Sequence, residues 1–321
     1  MQQVKHYINL LKSLRRAPNL GGAPHKPILL LAVFSLIRKG IITSNKIEIS
    51  PELVLEFKEY WLKFVQTPHT ANFALPFFHL SREPFWFLIA KPGASIPVTS
   101  SNSIKSFKAL RDTVLFAQLD NGLFELLNQK ENNYLLSELL ISTYFPDQNN
   151  KGLEAGYNLF SQLEFEILND NKAVYQTRIE QLQATLNEEE FTEEVFVRCG
   201  IFKREIPKLY NYTCAISGMR IETSTNIQMV DACHIIPFSI SHDDTIGNGI
   251  CLSPNLHRAF DRGLLTITPD YTVNISSRMI ENSSAFSLLQ FQGKHISLPT
   301  NKSYHPNPEN LESHFNQIFL R

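Results

Sequence analysis

The stretch VDACHIIPFSISHDDTIGNGICLSPNLHRAFDRG, residues 230–263, is the most informative part of this 321-residue chain. It contains His234 beside a β-branched apolar run, His257 at the start of a helix-like stretch, and Asn248 between them. Hydrolysis of a phosphodiester on one metal ion needs a base that takes a proton from water, an amide that holds this base, and a ligand for a divalent cation. The three residues supply these groups, and the pattern therefore predicts a nuclease.

Three segments of this stretch resemble the HNH endonuclease family. They are ACHIIP (232–237), NG (248–249) and NLHRAFDRG (255–263), with 14 residues from the first histidine to the asparagine and 23 to the second histidine of the motif. The resemblance covers roughly residues 205–275. It implies a two-stranded hairpin followed by a helix around one metal ion, the ββα-metal fold.

The resemblance also implies roles for the matching residues. His234 becomes the general base, and the ordinary histidine pKa of about 6.5 suits this role at neutral pH. Asn248 corresponds to the asparagine that constrains the catalytic loop, and His257 to the metal-binding histidine on the helix. The implied cofactor is Mg²⁺ or Mn²⁺, with Co²⁺ and Ni²⁺ as further candidates, and it would stabilise the charge that grows on the phosphate.

The other metal ligands follow from positions near these residues. Asp261 lies four residues after His257, on the same helix face, and is the preferred second ligand. Many family members have an Asp or His ligand immediately before the base, where this chain has Cys233. Asp231 is a lower-ranked candidate, because on an extended strand its side chain shares a face with Cys233 and not with His234.

The four cysteines limit both the metal content and the compartment. The family often has two CxxC pairs for structural zinc, but the corresponding stretches here read CAIS (214–217) and CLSP (251–254), so no structural zinc is expected. The cysteines lack the dense pairing of secreted scaffolds, which favours a reducing cytoplasm. The apolar run 27–37 is far shorter than the roughly 20 residues that a bilayer requires, and we predict no membrane association.

Composition and hydrophobic patterns predict two domains with an α+β fold. The chain is 43% hydrophobic, and its first 47 residues contain eight Lys or Arg and no Asp or Glu, which indicates a basic face. Helical patterns dominate the N-terminal half, residues 74–90 suggest a short hairpin, and residues 152–190 suggest one long connecting helix. We therefore predict a mainly helical DNA-reading domain with a small β-sheet (1–165), a connecting helix or linker (166–195) and a C-terminal ββα-metal domain (196–321).

The first domain resembles the sulfur-binding domain of phosphorothioate-dependent type IV restriction enzymes. The segments that carry this resemblance are GGAPHKPILLLA (21–32), LPFFHL (75–80), FW (85–86) and YFP (144–146). The resemblance implies recognition of DNA in which sulfur replaces a non-bridging phosphate oxygen. Sulfur is larger and softer than oxygen, and it favours a shallow apolar cup beside cationic groups.

We expect four residues to form this cup and two to contact neighbouring phosphates, although the same aromatic residues also suit an ordinary core. Two arginines of the nuclease motif either hold phosphate or lie on a solvated helix face. The predicted DNA-binding residues are His79, Arg82, Tyr144 and Pro146 for the cup, Lys26 and Arg16 for the phosphates, and Arg258 and Arg262 in the motif.

The leading hypothesis is a cytoplasmic, bacterial or archaeal restriction endonuclease that cuts double-stranded DNA near a phosphorothioate, as a defence against phage. Since one HNH centre cuts one strand, a homodimer is expected, with residues 152–190 as its interface. Two alternatives remain open at this point. The first domain could read methylated or hydroxymethylated cytosine by extruding the base, or the chain could be a non-catalytic DNA-binding protein whose HNH core has decayed at Cys233.

Overall fold

The computed structural model describes residues 2–96, 104–146, 151–221, 223, 228–282 and 284–321, with only the backbone described at 19 and 151–159. These residues fall into two compact units. The first consists mainly of Met1–Ser161 and Leu186–Gly200, and the second of Gln162–Thr185, Ile201–Ser224 and Gln228–Arg321. No helix in the described part is long and apolar enough to cross a bilayer.

Short strands alternate with helices along the chain. The helices are α1 (Gln2–Lys12), α2 (His25–Arg38), α3 (Pro51–Phe64), α4 (Ala74–His79), α5 (Phe107–Thr113), α6 (Asn121–Leu127), α7 (Lys130–Tyr144), α8 (Lys151–Asn169), α9 (Lys172–Thr185), α10 (Glu188–Leu209), α11 (Phe238–Ser241), α12 (Pro254–Asp261) and α13 (Pro308–Gln317). The strands are β1 (Lys46–Ile47), β2 (Trp86–Ala90), β3 (Val114–Leu119), β4 (Asp231–His234), β5 (Gly249–Leu252), β6 (Leu265–Ile267) and β7 (Val273–Ile275).

Helix α2 forms the centre of the first unit. Its residues from Lys26 to Ile37 are all buried, so the helix is surrounded on every side and shows no amphipathic pattern. Helix α3 packs against it and begins at a Ser50 cap, whose hydroxyl accepts the Leu53 amide at 3.2 Å. The strands form one antiparallel sheet in the order β1-β3-β2. This confirms the prediction of a mainly helical unit with a small sheet.

The predicted hairpin at 74–90 is wrong. The segment contains helix α4, a 3₁₀ turn at Leu80–Arg82 and the single strand β2, whose partner β3 lies further along the chain. The aromatic residues of α4 face the core, where the Trp86 indole N–H donates to the Phe77 carbonyl at 3.0 Å. Burial of these rings in a helix produced a residue pattern that is typical of strands.

The single long helix predicted at 152–190 is also wrong, because the region contains three helices, α8, α9 and α10. Two asparagines account for the breaks. The Asn171 side chain accepts the Val174 amide at 3.1 Å at the start of α9, and the Asn187 side chain accepts the Glu190 amide at 3.0 Å at the start of α10. Helix α10 continues to Leu209, beyond the predicted end of the linker at residue 195.

The second unit has the ββα order that the sequence predicts. Strands β4 and β5 are antiparallel, with His234 opposite Gly249, and α12 follows directly. Gly263 ends this helix at a φ of +67°, and a Cβ there would lie 2.1 Å from the Ile318 carbonyl oxygen. Strands β6 and β7 follow α12 and pair in an antiparallel hairpin. The α+β fold class is therefore confirmed.

A buried histidine of α13, His314, packs against Phe260 of α12. His314 stacks on Phe260 with ring centroids 3.7 Å apart, its Nε2 donates to the Phe260 carbonyl at 3.1 Å, and its Nδ1 accepts from the Thr266 hydroxyl at 2.8 Å. The neutral imidazole with its proton on Nε2 satisfies both ring nitrogens, and burial disfavours the charged form. Burial accordingly lowers the pKa of His314 to about 4.

This histidine predicts a pH-dependent stability of the second unit. The unfolded chain binds the His314 proton near pH 6.5 and the folded chain only near pH 4. The contribution to stability is therefore complete above pH 6.5 and decreases as the pH falls towards 4, by up to about 3 kcal/mol. Urea denaturation of the wild type and His314→Gln should give free energies of unfolding whose difference shrinks across this range. A constant difference would contradict this role.

Candidate active site

His234, at the end of β4, lies against α10 and the loop before β5. Its ring stacks on Phe202 with centroids 3.9 Å apart and an interplanar angle of 9°. Its Nε2 lies 2.8 Å from the Asp244 carboxylate, which is completely buried. The His234 side chain is 15% exposed, and no described group bonds its Nδ1. The ring is thus fixed on one edge and has a free nitrogen on the other.

Asn248 holds the loop that joins β4 to β5. Its amide nitrogen donates to the carbonyls of Ile236 and Asp243, both at 2.9 Å, and its oxygen accepts the Ile236 amide at 2.9 Å. The side chain is completely buried. These bonds connect the two ends of the loop that contains Asp244. This geometry is what a residue that constrains the catalytic loop requires.

His257 lies between two carboxylates. Its Nδ1 is 3.3 Å from Asp231 Oδ2, and its Nε2 is 3.4 Å from Asp261 Oδ2. Cys233 lies on the same side, with its Sγ 3.8 Å from Asp261 Oδ1. Ligand atoms of Cys233, His257 and Asp261 all lie within 4.8 Å of one another. Sulfur, nitrogen and oxygen donors at this spacing fit a divalent transition-metal ion.

A surface depression of about 410 Å³ opens beside this group. It is lined by Asp231, Pro254, His257, Arg258, Asp261 and Arg262. The predicted phosphate-binding arginines therefore lie next to the candidate metal ligands. Because a guanidinium forms strong bonds with phosphate oxygens, the depression can accept an anion beside a cation.

The cysteines of this unit are buried in apolar surroundings. Burial, with Asp261 next in effect, raises the pKa of Cys233 well above the usual thiol value. Burial also raises the pKa of Cys251 to about 12. The Ser217 amide donates to the Cys214 Sγ at 3.5 Å.

The first unit brings most of the predicted DNA-binding residues together in one basic cluster around Glu83. Glu83 is buried and accepts from the Lys26 ammonium at 2.5 Å and from the Arg15 amide at 3.0 Å. The Arg16 guanidinium lies 4.4 Å above the Tyr144 ring, whose hydroxyl donates to the Leu11 carbonyl at 2.7 Å. Lys26 is thus engaged in a buried ion pair and does not point to solvent, in contrast to its predicted contact with phosphate.

His79 and Arg82 complete this basic cluster. Burial lowers the pKa of His79, and the charges of Arg82 and Lys26 add to the effect, so the neutral form of the ring is favoured. The Nδ1 atom of His79 is buried and has no hydrogen-bond partner among the described residues. Arg82 is exposed, as is Pro146, two residues beyond Tyr144. The cluster therefore has an exposed cationic rim and an unsatisfied buried imidazole nitrogen.

Comparison with known proteins assigns a family to part of the second unit. Residues 214–268 match the model of the HNH endonuclease family. This segment is an HNH endonuclease domain. The match covers the β4–β5 hairpin, α12 and the group of Cys233, His257 and Asp261. No curated protein matches the chain.

Two solved structures are similar to parts of the chain. A modification-dependent TagI restriction endonuclease shares 23% identity over 36% of this chain, with a TM-score of 0.29, and the match spans only 37% of that protein. The type IV phosphorothioation-dependent restriction endonuclease ScoMcrA shares 11% identity over 79% of this chain and 81% of its own, with a TM-score of 0.33. At these TM-scores neither structure defines the fold of this chain.

Several residues around the HNH site did not emerge from the sequence. Phe202 and Tyr175 come from helices that precede the motif by tens of residues, and no local pattern links them to His234. Asp244 lies inside the motif, but its contact depends on the path of the loop. Its one local signal is a pair of adjacent acidic residues before the Asn-Gly dipeptide, which also suits a solvated turn.

The close packing around Gly249 predicts that a side chain at this position would disturb the site. A Cβ at this position would lie 2.2 Å from Ile206 Cδ1 and 2.8 Å from Phe202 Cε2. Gly249→Ala should therefore displace the ring beneath His234, slow cleavage, and destabilise the unit by about 1–3 kcal/mol. Gly247→Ala is the matched control, because its Cβ would lie 3.6 Å from Asn307 Cβ, an ordinary contact. Thermal melting and cleavage rates that do not separate the two variants would refute the argument.

Proposed function

We propose that the chain is a modification-dependent restriction endonuclease of the type IV class, which binds phosphorothioated DNA and hydrolyses a nearby phosphodiester. The hydrolysis of DNA is supported by the fixed His234 ring, whose Nδ1 is free, in the same domain as the group of Cys233, His257 and Asp261. The observation that supports the DNA-reading half is the basic cluster around Glu83. The chain combines a phosphodiester-cutting site with a separate site for an anionic ligand.

His257 and Asp261 are the residues that would hold Mg²⁺ or Mn²⁺, and Cys233 would join them for a softer ion such as Co²⁺ or Ni²⁺. A bound ion would supply positive charge for the phosphate oxygens and the leaving oxygen. His257 can offer Nε2 to the ion while its Nδ1–H donates to Asp231, an arrangement common among metal-bound histidines. This assigns Asp231 to orienting His257 and leaves Asp261 as the principal carboxylate ligand. A thiol ligand must lose its proton on binding the ion.

The protein residues perform the remaining steps of hydrolysis. His234 accepts a proton from the attacking water at Nδ1, the free nitrogen of its ring. Asn248 keeps the loop behind His234 in place through its bonds to Ile236 and Asp243. Arg258 and Arg262 bind phosphate oxygens from the rim of the depression.

The basic cluster suits a phosphorothioate better than an extruded base. Its exposed charges belong to arginines, which bind the phosphates of the DNA backbone. The neutral His79 ring and the Tyr144 ring provide a polarisable surface for a poorly hydrated sulfur atom. Phe77, Phe85 and Trp86 are buried in the core and are therefore not exposed to stack on an extruded base.

Double-strand cleavage requires two HNH centres or two successive events, and we propose that two copies of the chain act together on DNA. Size-exclusion chromatography with light scattering of the protein bound to a duplex would reveal two chains per complex. A strict monomer on cleaved duplex would exclude simultaneous action.

The proposed function predicts a preference for phosphorothioated DNA. Two duplexes that differ only in one phosphorothioate linkage, tested as each stereoisomer, should differ by about tenfold or more in affinity, equivalent to about 1.4 kcal/mol or more. His79→Ala and Arg82→Gln should reduce this preference, while Lys91→Gln, on an exposed residue outside the cluster, should not. Equal binding of both duplexes by the wild type would refute the DNA-reading half and leave the nuclease half intact.

The proposed function also predicts that His257 is required for binding of the metal ion. His257→Ala should weaken Mn²⁺ binding at least tenfold in calorimetric titrations without DNA, because it removes the central nitrogen ligand. Asp231→Asn should have a smaller effect, since it changes only the orientation of that ring. His295→Ala, an exposed histidine outside the group, is the control. Unchanged Mn²⁺ affinity in His257→Ala would place the metal elsewhere.

A further inference from the structure

A buried carboxylate lies behind the proposed base. The Asp244 side chain is completely buried, its Oδ1 lies 2.8 Å from His234 Nε2, and its Oδ2 accepts from the Tyr175 hydroxyl at 3.4 Å. Tyr175 is itself buried on α9. An ionised carboxylate without partners would be expensive to bury, so both contacts compensate for its lost hydration. The three side chains form a chain that runs from the interior to the exposed edge of His234.

The neighbouring aspartate serves a different purpose. Asp243 Oδ1 accepts the Thr245 amide at 2.9 Å and the Thr245 hydroxyl at 2.7 Å, so it stabilises the turn before Asn248. The Asp243 side chain makes no contact with His234 in the described structure. Of the two adjacent buried carboxylates, only Asp244 faces the ring.

We propose that Asp244, supported by Tyr175, is the positioning residue of His234. A carboxylate accepts but does not donate, so it selects the tautomer with the proton on Nε2 and leaves Nδ1 unprotonated towards the open edge. It also holds the ring against rotation on Phe202. This inference rests on the proposed role of His234 as general base.

In the resulting reaction, water attacks the phosphorus atom and His234 takes the proton. The water oxygen forms a bond to phosphorus, and the water proton passes to His234 Nδ1. The bond from phosphorus to the leaving oxygen breaks, and this oxygen takes a proton from bulk water. The Nε2 proton stays on His234 throughout, and the negative charge of Asp244 stabilises the imidazolium that forms.

Asp244→Asn is the central variant, because it keeps size and shape but can donate to Nε2 and so favours the wrong tautomer. We expect kcat to fall about 100-fold or more while the KM for DNA stays unchanged. Tyr175→Phe should lower kcat by about two- to fivefold, since it removes only the supporting hydrogen bond. Thr177→Ala, on an exposed residue of the same helix, is the matched control.

A double-mutant cycle separates positioning from a general structural effect. If Asp244 acts through His234, then Asp244→Asn should change the residual rate of His234→Ala by less than about twofold. A further 100-fold loss in that background would show that Asp244 acts only by holding the fold. Retention of kcat within about twofold in a folded Asp244→Asn single variant would also overturn the proposal.

Nitrogen NMR of the histidine rings tests the same idea without activity. The wild type should show His234, assigned by its loss in His234→Ala, with the proton on Nε2, and Asp244→Asn should shift it to Nδ1. An unchanged tautomer would overturn the positioning role. If His234→Ala cleaves at the wild-type rate, the proposed function is wrong about the base, and the NMR result still decides whether Asp244 sets the tautomer.

Discussion

The close pairing of β4 with β5 at His234 and Gly249 is the constraint on which the nuclease site depends. Because residue 249 has no side chain, Ile206 and Phe202 of α10 can approach the hairpin to within contact distance. Phe202 then provides the flat surface on which the His234 ring stacks. Helix α10, which precedes the motif, thus fixes the orientation of the His234 ring, and a glycine makes this approach possible.

The alternation of side chains along β4 separates the two halves of the chemistry. His234 points towards Phe202 and Asp244, whereas Cys233 points towards His257 and Asp261. Successive residues of a strand face opposite sides, so the proposed base and the proposed metal ligands can lie one residue apart without competing for the same space. His234 therefore finds its hydrogen-bond partner in the loop before β5, whereas Cys233 finds its partner, Asp261, on α12.

The sequence predicted those parts of the site that depend on local spacing. Histidine and aspartate four residues apart on a helix must share a face, and a glycine after the last turn must end it. The surroundings of His234 could not be predicted in this way, because Phe202 reaches its ring, and Tyr175 reaches Asp244, through tertiary packing. The errors elsewhere have the same origin. Buried aromatic residues occur in helices as well as strands, and a single asparagine cap is enough to divide a long helical pattern.

The ion pair of Lys26 and Glu83 shows why a charged residue in a binding motif need not bind the ligand. Burial lowers the pKa of Lys26, and the Glu83 carboxylate opposes this effect and so favours the charged ammonium inside the first unit. Removing either partner alone would leave an uncompensated buried charge, which is strongly destabilising. Glu83 also accepts the Arg15 amide, and it thereby connects the end of α1 to the start of α2. In this arrangement the buried pair fixes the backbone, and the exposed arginines beside it remain available to a phosphate.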